Sequence, residues 1–161
     1  MEILRPVILL LENDESDVFL FRRALGRLPF NGTVRIVSTV TEARAYLLHT
    51  GLFTDSEYYH RPDLIVCDVK LWSGTGLQFL EWIRDQPDFA SIPVVMLSGS
   101  ALPEDKVKAG HLGARAFYTK TGDIEEMTEH MENMLGHIAA HREVIQGGRG
   151  GEQKSESRKQ K

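Results

Sequence analysis

Mostly apolar runs of strand length, each ending at a polar residue, constrain the fold of this chain more than any other feature of its sequence. They cover residues 7–11, 64–67, 92–97 and 116–119, and a shorter run lies at 34–37. A strand that is buried on both faces has this pattern, whereas a strand with one face in water alternates between apolar and polar residues. The runs therefore predict a parallel sheet that is covered on both faces.

Segments with helical periodicity separate these runs. Apolar side chains recur at helical spacing after Ser16, after Thr41, after Gly76 and after Asp123, and a short polar helix is predicted at 103–110. Thr41 and Asp123 are suitable N-caps. The last helix has one apolar face, which consists of Ile124, Met127, Met131, Leu135 and Ile138. We expect this face to pack on the sheet, although a methionine stripe could also form a partner surface.

Five strands that alternate with five helices predict an α/β fold. Right-handed crossovers then place helices on both faces of a parallel sheet. In such a sheet the ligand site lies beyond the carboxyl ends of the strands, where the strand order reverses. Since the polar residues that end the apolar runs fall at this edge, the sequence predicts one polar crevice there.

The length of the chain predicts a single domain. Its 161 residues, 42% of them hydrophobic, suffice for one sizeable core but not for two ordinary domains and a linker. We expect residues 1–145 to form this domain. Residues 146–161 are rich in Gly and charged side chains, and we expect them to form a disordered polar tail of basic character. Such a tail could serve solubility or touch an acidic surface.

Composition argues against several classes of protein. No apolar run approaches the roughly 20 residues of a membrane-spanning helix, and the amino terminus lacks the layout of a cleavable signal. Cys67 is the single cysteine, which excludes an internal disulfide and agrees with a reducing compartment. The net charge of −4 disfavours direct DNA binding by the whole domain. We therefore expect a cytoplasmic protein without a membrane segment.

Four strand ends deliver polar side chains to the predicted crevice. Glu12 and Asn13 follow the first run, Asp68 follows the run at 64–67, Ser98 follows the next, and Lys120 follows the last. Each residue alone would be an ordinary turn residue, because polar residues commonly end strands. Together they bring carboxylates, a hydroxyl and an ammonium to one edge of the sheet.

This set of groups suits phosphoryl transfer. A carboxylate can attack phosphorus and form an acyl phosphate when cations neutralise the repulsion between the two anions. Glu12, Asn13 and Asp68 offer the oxygen ligands that Mg²⁺ prefers. Lys120 can supply a positive charge, and Ser98 a hydrogen bond, to phosphoryl oxygens. Asp68 is therefore the candidate phosphoacceptor.

The layout resembles the receiver domains of bacterial two-component response regulators over about residues 7–140. The segments that carry the resemblance are Ile-Leu-Leu-Leu-Glu-Asn at 8–13, Pro-Asp-Leu-Ile-Val-Cys-Asp at 62–68, Pro-Val-Val-Met-Leu-Ser at 93–98 and Leu-Gly-Ala-Arg-Ala-Phe-Tyr-Thr-Lys at 112–120. Each lies where the family has its corresponding segment. The long connection before residue 62 is similar to that of stand-alone receivers associated with bacterial phytochrome kinases.

The resemblance implies a flavodoxin-like receiver fold with the strand order 2-1-3-4-5. It implies that a sensor histidine kinase or a histidine phosphotransfer protein phosphorylates Asp68, and that the backbone carbonyl of Lys70 is a further ligand of Mg²⁺. Ser98 and Phe117 would shift on phosphorylation and reshape the face formed by the fourth helix, the fifth strand and the fifth helix. For Phe117, a plain core aromatic is the alternative. Such a protein would act through a downstream protein partner, a homodimer or onward phosphotransfer.

Three positions depart from the family pattern. The acidic pair after the first strand is here Glu12-Asn13, and losing one charge costs on the order of 1–4 kcal/mol in metal binding. Asp14 is the neighbour that could offset part of this loss. Trp72 and Thr121 stand where the family usually has prolines. Lys120 could therefore be held less firmly. Trp72 could gate the site or anchor a partner, or it could be a partly exposed loop aromatic without a role.

Two other functions stay open beside the phosphorylation switch. A degenerate receiver would keep the fold as a phosphorylation-independent protein-interaction module, which Asn13 and the missing prolines favour. The presence of Asp68, Ser98 and Lys120 argues against it. A phosphatase with an aspartyl nucleophile would need a second Asp where this chain has Lys70. We therefore expect a signalling domain that is no enzyme beyond its own phosphotransfer and dephosphorylation.

Overall fold

A five-stranded parallel sheet forms the centre of the molecule in the computed structural model, which describes residues 5–71, 74–99 and 102–159, with side chains up to residue 142. The strands are β1 (Val7–Leu11), β2 (Thr33–Val37), β3 (Leu64–Cys67), β4 (Val94–Ser98) and β5 (Ala116–Thr119). They lie in the order β2-β1-β3-β4-β5. The predicted α/β fold and the strand order 2-1-3-4-5 are confirmed.

Five α-helices connect or follow the strands. They are α1 (Glu15–Leu25), α2 (Val40–Leu48), α3 (Gly76–Arg84), α4 (Pro103–His111) and α5 (Ile124–Lys159), and a 3₁₀ turn at Gly51–Phe53 follows α2. The expected cap of α2 was wrong. Thr39, and not Thr41, has the extended backbone of an N-cap, and its hydroxyl accepts a hydrogen bond from the Glu42 N–H at 3.1 Å.

Two apolar layers enclose the sheet. Leu9 and Leu11 of β1 point into the layer under α2 and α3, whereas Ile8 and Leu10 point into the layer under α1 and α5. Of the predicted face of α5, Met127, Met131 and Ile138 are buried in the second layer, and Ile124 and Leu135 are partly buried against it. Met134, which the prediction omitted, is buried there as well. The face of α5 is therefore core, as the periodicity favoured.

A glycine allows α3 to begin directly under the carboxyl end of β3. A short antiparallel ribbon pairs Lys70–Leu71 with Gly74–Thr75, and Thr75 caps α3 through a capping box with Gln78. A Cβ on Gly76 would lie 2.0 Å from the carbonyl oxygen of Asp68. Any larger residue would push Asp68 out of place, so this glycine helps to fix the position of that residue.

The helix α5 continues past the predicted end of the domain at residue 145. Its assigned bounds reach Lys159. The side chains beyond Arg142 lie outside the described part of the chain. Their contacts would show where α5 stops packing on the domain. The division into a domain at 1–145 and a disordered tail at 146–161 therefore stays a prediction. Among the described residues, no helix has the length and apolar character needed to cross a membrane.

Candidate functional site

Three carboxylates from three elements surround one ammonium at the carboxyl edge of the sheet. The Lys120 Nζ atom lies 2.7 Å from Glu12 Oε2, 2.7 Å from Asp17 Oδ2 and 2.7 Å from Asp68 Oδ2. The side chains of Glu12 and Asp68 are 3% and 8% exposed, whereas that of Asp17 is 36% exposed. The predicted meeting of Glu12, Asp68 and Lys120 in one crevice is therefore present, with Asp17 as a further member.

Backbone hydrogen bonds of the parallel sheet hold these residues in register. The Glu12 N–H donates to the carbonyl of Val37, and the Asp68 N–H donates to that of Leu11 at 3.2 Å. The Lys120 N–H donates to the carbonyl of Ser98 at 2.7 Å. Each site residue is the first to follow its strand or lies at its end, so the ladder fixes the spacing of the side chains.

The second oxygen of each buried carboxylate accepts backbone N–H groups. Glu12 Oε1 accepts from Asn13 at 3.1 Å and from Asp14 at 3.0 Å. Asp68 Oδ1 accepts a longer bond of 3.3 Å from Lys70. Both carboxylates are thus held from two sides, with one oxygen on the backbone and the other on Lys120.

An open pocket of about 530 Å³ lies over this cluster. Its lining consists of Asp17, Asp68, Lys70, Ser98, Gly99 and Lys120. Ser98 is 1% exposed and ends β4. Of the predicted metal ligands, Asp68 and Lys70 line this pocket, whereas Glu12 and the half-buried Asn13 do not belong to its lining. The volume accommodates a phosphoryl group together with a hydrated ion.

The predicted switch aromatic lies on the neighbouring strand. Phe117 pairs with Met96 across β5 and β4, and its half-buried side chain packs against the apolar layer of α2 and α3. Ser98 pairs with Thr119 two residues further along. Phe117 therefore lies below the pocket, on the strand that carries Lys120. Trp72, which was predicted to gate the site or anchor a partner, lies outside the described residues.

Within the cluster, the pKa values of Glu12 and Lys120 are shifted. Burial raises the pKa of Glu12 above its ordinary value of 4.5, against the opposing effect of hydrogen bonds from Lys120 and from the Asp14 N–H. Burial alone would lower the pKa of Lys120, but its hydrogen bonds to Asp17, Asp68 and Glu12 raise it above the ordinary 10.5. Lys120 therefore remains charged throughout the physiological range.

The charges of the cluster do not balance. With all four groups ionised, three carboxylates face one ammonium, which leaves a surplus of two negative charges. The donors are hard carboxylate oxygens, the type that Mg²⁺ prefers. Within the described residues no three His, Cys, Asp or Glu side chains are arranged to hold a metal ion by themselves. The site still fits Mg²⁺, because this ion commonly binds one or two carboxylates and completes its shell with waters and phosphate oxygens.

Asp17 was missed by the sequence reasoning, which proposed Asp14 as the neighbour that could compensate for Asn13. Asp14 is instead the N-cap of α1, and its Oδ1 accepts a hydrogen bond from the Asp17 N–H at 3.1 Å. A signal for Asp17 was present. It lies four residues before the buried Phe21, so it extends the apolar face of α1 by one turn toward the crevice.

The residue after Lys120 departs from the family pattern without releasing the lysine. The Thr121 hydroxyl donates to Glu126 at 3.0 Å and accepts from the Asp123 N–H at 3.1 Å, which anchors the start of α5. No cis peptide bond occurs in the described residues. The Lys120 side chain forms three ion pairs, and a looser position than in the family stays a prediction.

The comparisons with known proteins identify the family. A family model for the response regulator receiver domain matches residues 8–132. The chain therefore belongs to the receiver domains of response regulators, which act in two-component signalling. Response regulator Rre1 of Synechocystis sp. is 30% identical over 135 residues, which make up 84% of this chain and 54% of Rre1. The chain thus spans about half the length of that relative.

Solved structures of phytochrome response regulators are similar to this chain. The phosphorylated cyanobacterial phytochrome response regulator RcpA aligns with a TM-score of 0.70 and 30% identity over 78% of this chain and 87% of that chain. The Mn²⁺-bound form of response regulator Rcp1 of Synechocystis sp. aligns with a TM-score of 0.71 and 27% identity over 80% and 90% of the two chains. That neighbour thus binds a divalent metal ion.

Proposed function

We propose that this chain is a phosphorylation switch in which Asp68 accepts a phosphoryl group from a sensor histidine kinase or a histidine phosphotransfer protein. The observation that carries the proposal is the 2.7 Å contact between Asp68 Oδ2 and Lys120 Nζ at the floor of an open pocket. The ammonium offsets the charge of the carboxylate before transfer and that of the phosphoryl group after it. The phosphorylated form of the similar RcpA supports the same chemistry.

The transfer is a displacement at phosphorus. A carboxylate oxygen of Asp68 forms a bond to phosphorus while the bond from phosphorus to the donor's leaving group breaks. The leaving group, a histidine nitrogen in the protein donor, keeps the electron pair. The product is an acyl phosphate on Asp68, and Ser98 and Lys120 lie in the same pocket to donate hydrogen bonds to its oxygens.

We propose Mg²⁺ as the cofactor, with oxygen ligands from Glu12, Asn13, Asp68 and the Lys70 backbone carbonyl. When bound, this ion neutralises charge on the phosphoryl oxygens and orients the donor. Glu12 and Asp68 supply buried carboxylates that are held on their backbone side. Asn13 contributes a neutral oxygen at best, so we expect weaker binding than an acidic residue at this position would give.

The output of the switch is a change in partner binding. Phosphorylation draws Ser98 toward the phosphoryl group, and Phe117 moves with it, which reshapes the face of α4, β5 and α5. Exposed apolar side chains lie on this side of the molecule, since Leu102 and Val107 at α4 are 53% and 59% exposed. A downstream protein, a second copy of the chain or a phosphotransfer protein would read this face.

We place this activity in the cytosol and assign no enzyme reaction beyond self-catalysed phosphotransfer and dephosphorylation. The buried Cys67 agrees with a reducing compartment. Lys70 stands where a phosphatase with an aspartyl nucleophile would need its second acid. Because the solved structures similar to this chain include phytochrome response regulators, a phytochrome kinase is the upstream partner that we propose.

Incubation with acetyl phosphate and Mg²⁺ tests the phosphoacceptor. We expect a phosphoprotein from the wild type, no product from Asp68→Asn, and loss of labelling when Mg²⁺ is chelated. Asp63→Asn is the matched control, because it makes the same chemical change at the other end of β3 and should label normally. Labelling of Asp68→Asn at the wild-type level would overturn the assignment of Asp68.

A phosphorylation-independent interaction module is the second candidate. The observation that favours it is that the neutral Asn13 brings no negative charge to the proposed metal ligands. Under this alternative, the wild type would not be labelled at any Mg²⁺ concentration, either by acetyl phosphate or by a cognate kinase, and partner binding would be unchanged in Asp68→Asn.

A further inference from the structure

The hydrogen bonds of Lys120 are fully used. An ammonium has three N–H donors, and Glu12, Asp17 and Asp68 each place one carboxylate oxygen 2.7 Å from Nζ. The third N–H of Lys120 now donates to the Asp68 carboxylate. When Asp68 becomes an acyl phosphate, this N–H becomes available to a phosphoryl oxygen. The other two donors remain on Glu12 and Asp17, which then fix the position of the ammonium.

Asp17 holds Lys120 from a different element than the other two acceptors do. Glu12 and Asp68 follow neighbouring strands of the sheet, whereas Asp17 belongs to the first turn of α1. The turn itself is fixed, because Asp14 caps it and accepts from the Asp17 N–H. At 36% exposure, the Asp17 side chain is also the most exposed of the three acceptors. Without it, one donor of Lys120 would face solvent.

The usual source of a further negative charge beside Glu12 is absent in this chain. Asn13 is neutral, and the structure uses its backbone N–H to support Glu12. Asp17 brings the number of carboxylates on Lys120 to three in spite of this substitution. One of the three acids that give the pocket its negative surplus thus comes from α1.

We propose that Asp17 is a positioning residue for phosphoryl transfer, which keeps the ammonium of Lys120 beside Asp68. This inference rests on the proposed function of Asp68. Asp17 acts through Lys120, so its contribution should disappear when Lys120 is removed. We expect its effect on the rate at saturating Mg²⁺ to be separate from the affinity for Mg²⁺, for which we propose Glu12, Asn13, Asp68 and the Lys70 carbonyl as ligands.

The test is the rate of labelling by acetyl phosphate at saturating Mg²⁺ in Asp17→Asn. We expect a loss of roughly tenfold, because a neutral amide replaces a charge-assisted acceptor. Glu15→Gln is the matched control, since it removes one negative charge from the same exposed turn and should leave the rate unchanged. In a Lys120→Met background, Asp17→Asn should change the residual rate by less than about twofold.

A second measurement does not depend on phosphorylation. The side-chain ammonium of Lys120, observed by ¹H–¹⁵N NMR of lysine ammonium groups, should be protected from exchange in the wild type and in Glu15→Gln. It should broaden or disappear in Asp17→Asn. Thermal unfolding of the same three proteins shows whether the variant is folded, and the ammonium signal is then compared among folded proteins.

The outcomes separate the two proposals. If the wild type is not labelled, the assignment of Asp68 as phosphoacceptor is overturned. If its Lys120 ammonium is nevertheless protected, and Asp17→Asn removes that protection, the role of Asp17 in holding Lys120 is supported. A labelled wild type with an unchanged rate and an unchanged ammonium in Asp17→Asn would overturn the role of Asp17. An altered half-saturating Mg²⁺ concentration with a normal rate at saturation would also overturn it, because Asp17 would then act on the metal and not through Lys120.

Discussion

The two ends of the sheet use buried charge in opposite ways. At the amino end, Asp63 accepts a hydrogen bond from the Val7 N–H at 2.9 Å and forms an ion pair with Arg142, with Oδ1 3.1 Å from Nε and Oδ2 3.3 Å from Nη2. One carboxylate meets one guanidinium. At the carboxyl end, three carboxylates meet the single ammonium of Lys120.

This difference in charge balance distinguishes a contact that only stabilises the fold from a site that can bind a ligand. The pair of Asp63 and Arg142 joins β3 to α5 and is electrically complete, so a further ion gains little there. The cluster on Lys120 has a surplus of two negative charges in a largely buried position, which is the charge that a cation would offset. We therefore expect the carboxyl end to serve binding and the pair at the amino end to serve stability.

Removal of Lys120 should have the largest effect on this contrast. We expect Lys120→Met to lower the initial rate of labelling by acetyl phosphate by at least about a hundredfold, because among the described residues it is Lys120 that forms the ion pair with Asp68. Lys106→Met is the matched control on the exposed surface of α4. A rate within threefold or so of the wild type would show that Lys120 is not required to neutralise charge in the transfer.

Removal of the amino-end carboxylate should change stability and not phosphorylation. Asp63→Ala leaves the Val7 N–H and the Arg142 guanidinium without their acceptor, so we expect the free energy of unfolding to fall by about 2 kcal/mol in urea denaturation. Asp88→Ala, at an exposed position after α3, should leave this free energy unchanged. A large loss of labelling in folded Asp63→Ala would mean that the two ends of the sheet are coupled.

An added negative charge beside Glu12 should increase the charge difference between the two ends of the sheet, with a smaller effect on labelling than the removal of Lys120. Asn13→Asp would bring the negative charge that this position lacks, and we expect the half-saturating Mg²⁺ concentration for labelling to fall by about tenfold. Asn31→Asp makes the same change in the connection before β2, at the amino end of the sheet, and should have no effect. An unchanged half-saturating concentration in Asn13→Asp would place residue 13 outside the metal's reach.

Local patterns along the chain were enough to predict the strands, their order of appearance and the residues that end them. Apolar runs such as 7–11 and 64–67 are local features, and a parallel sheet brings the carboxyl ends of its strands to one edge whatever the details of packing. Glu12, Asp68 and Lys120 could therefore be placed together from the amino-acid sequence, since backbone geometry alone makes them neighbours.

Which helical side chains reach the site depended instead on packing between distant parts of the chain. The direction of a helical side chain changes by about 100° per residue, so whether an acid of α1 faces the crevice depends on how that helix docks on the sheet. The docking through Phe21, Ala24 and Leu25 turns Asp17 toward Lys120 and leaves Asp14 as a cap. The strand-end chemistry was predictable because each strand constrains it locally, whereas Asp17 joined the site because tertiary contacts set the rotation of α1.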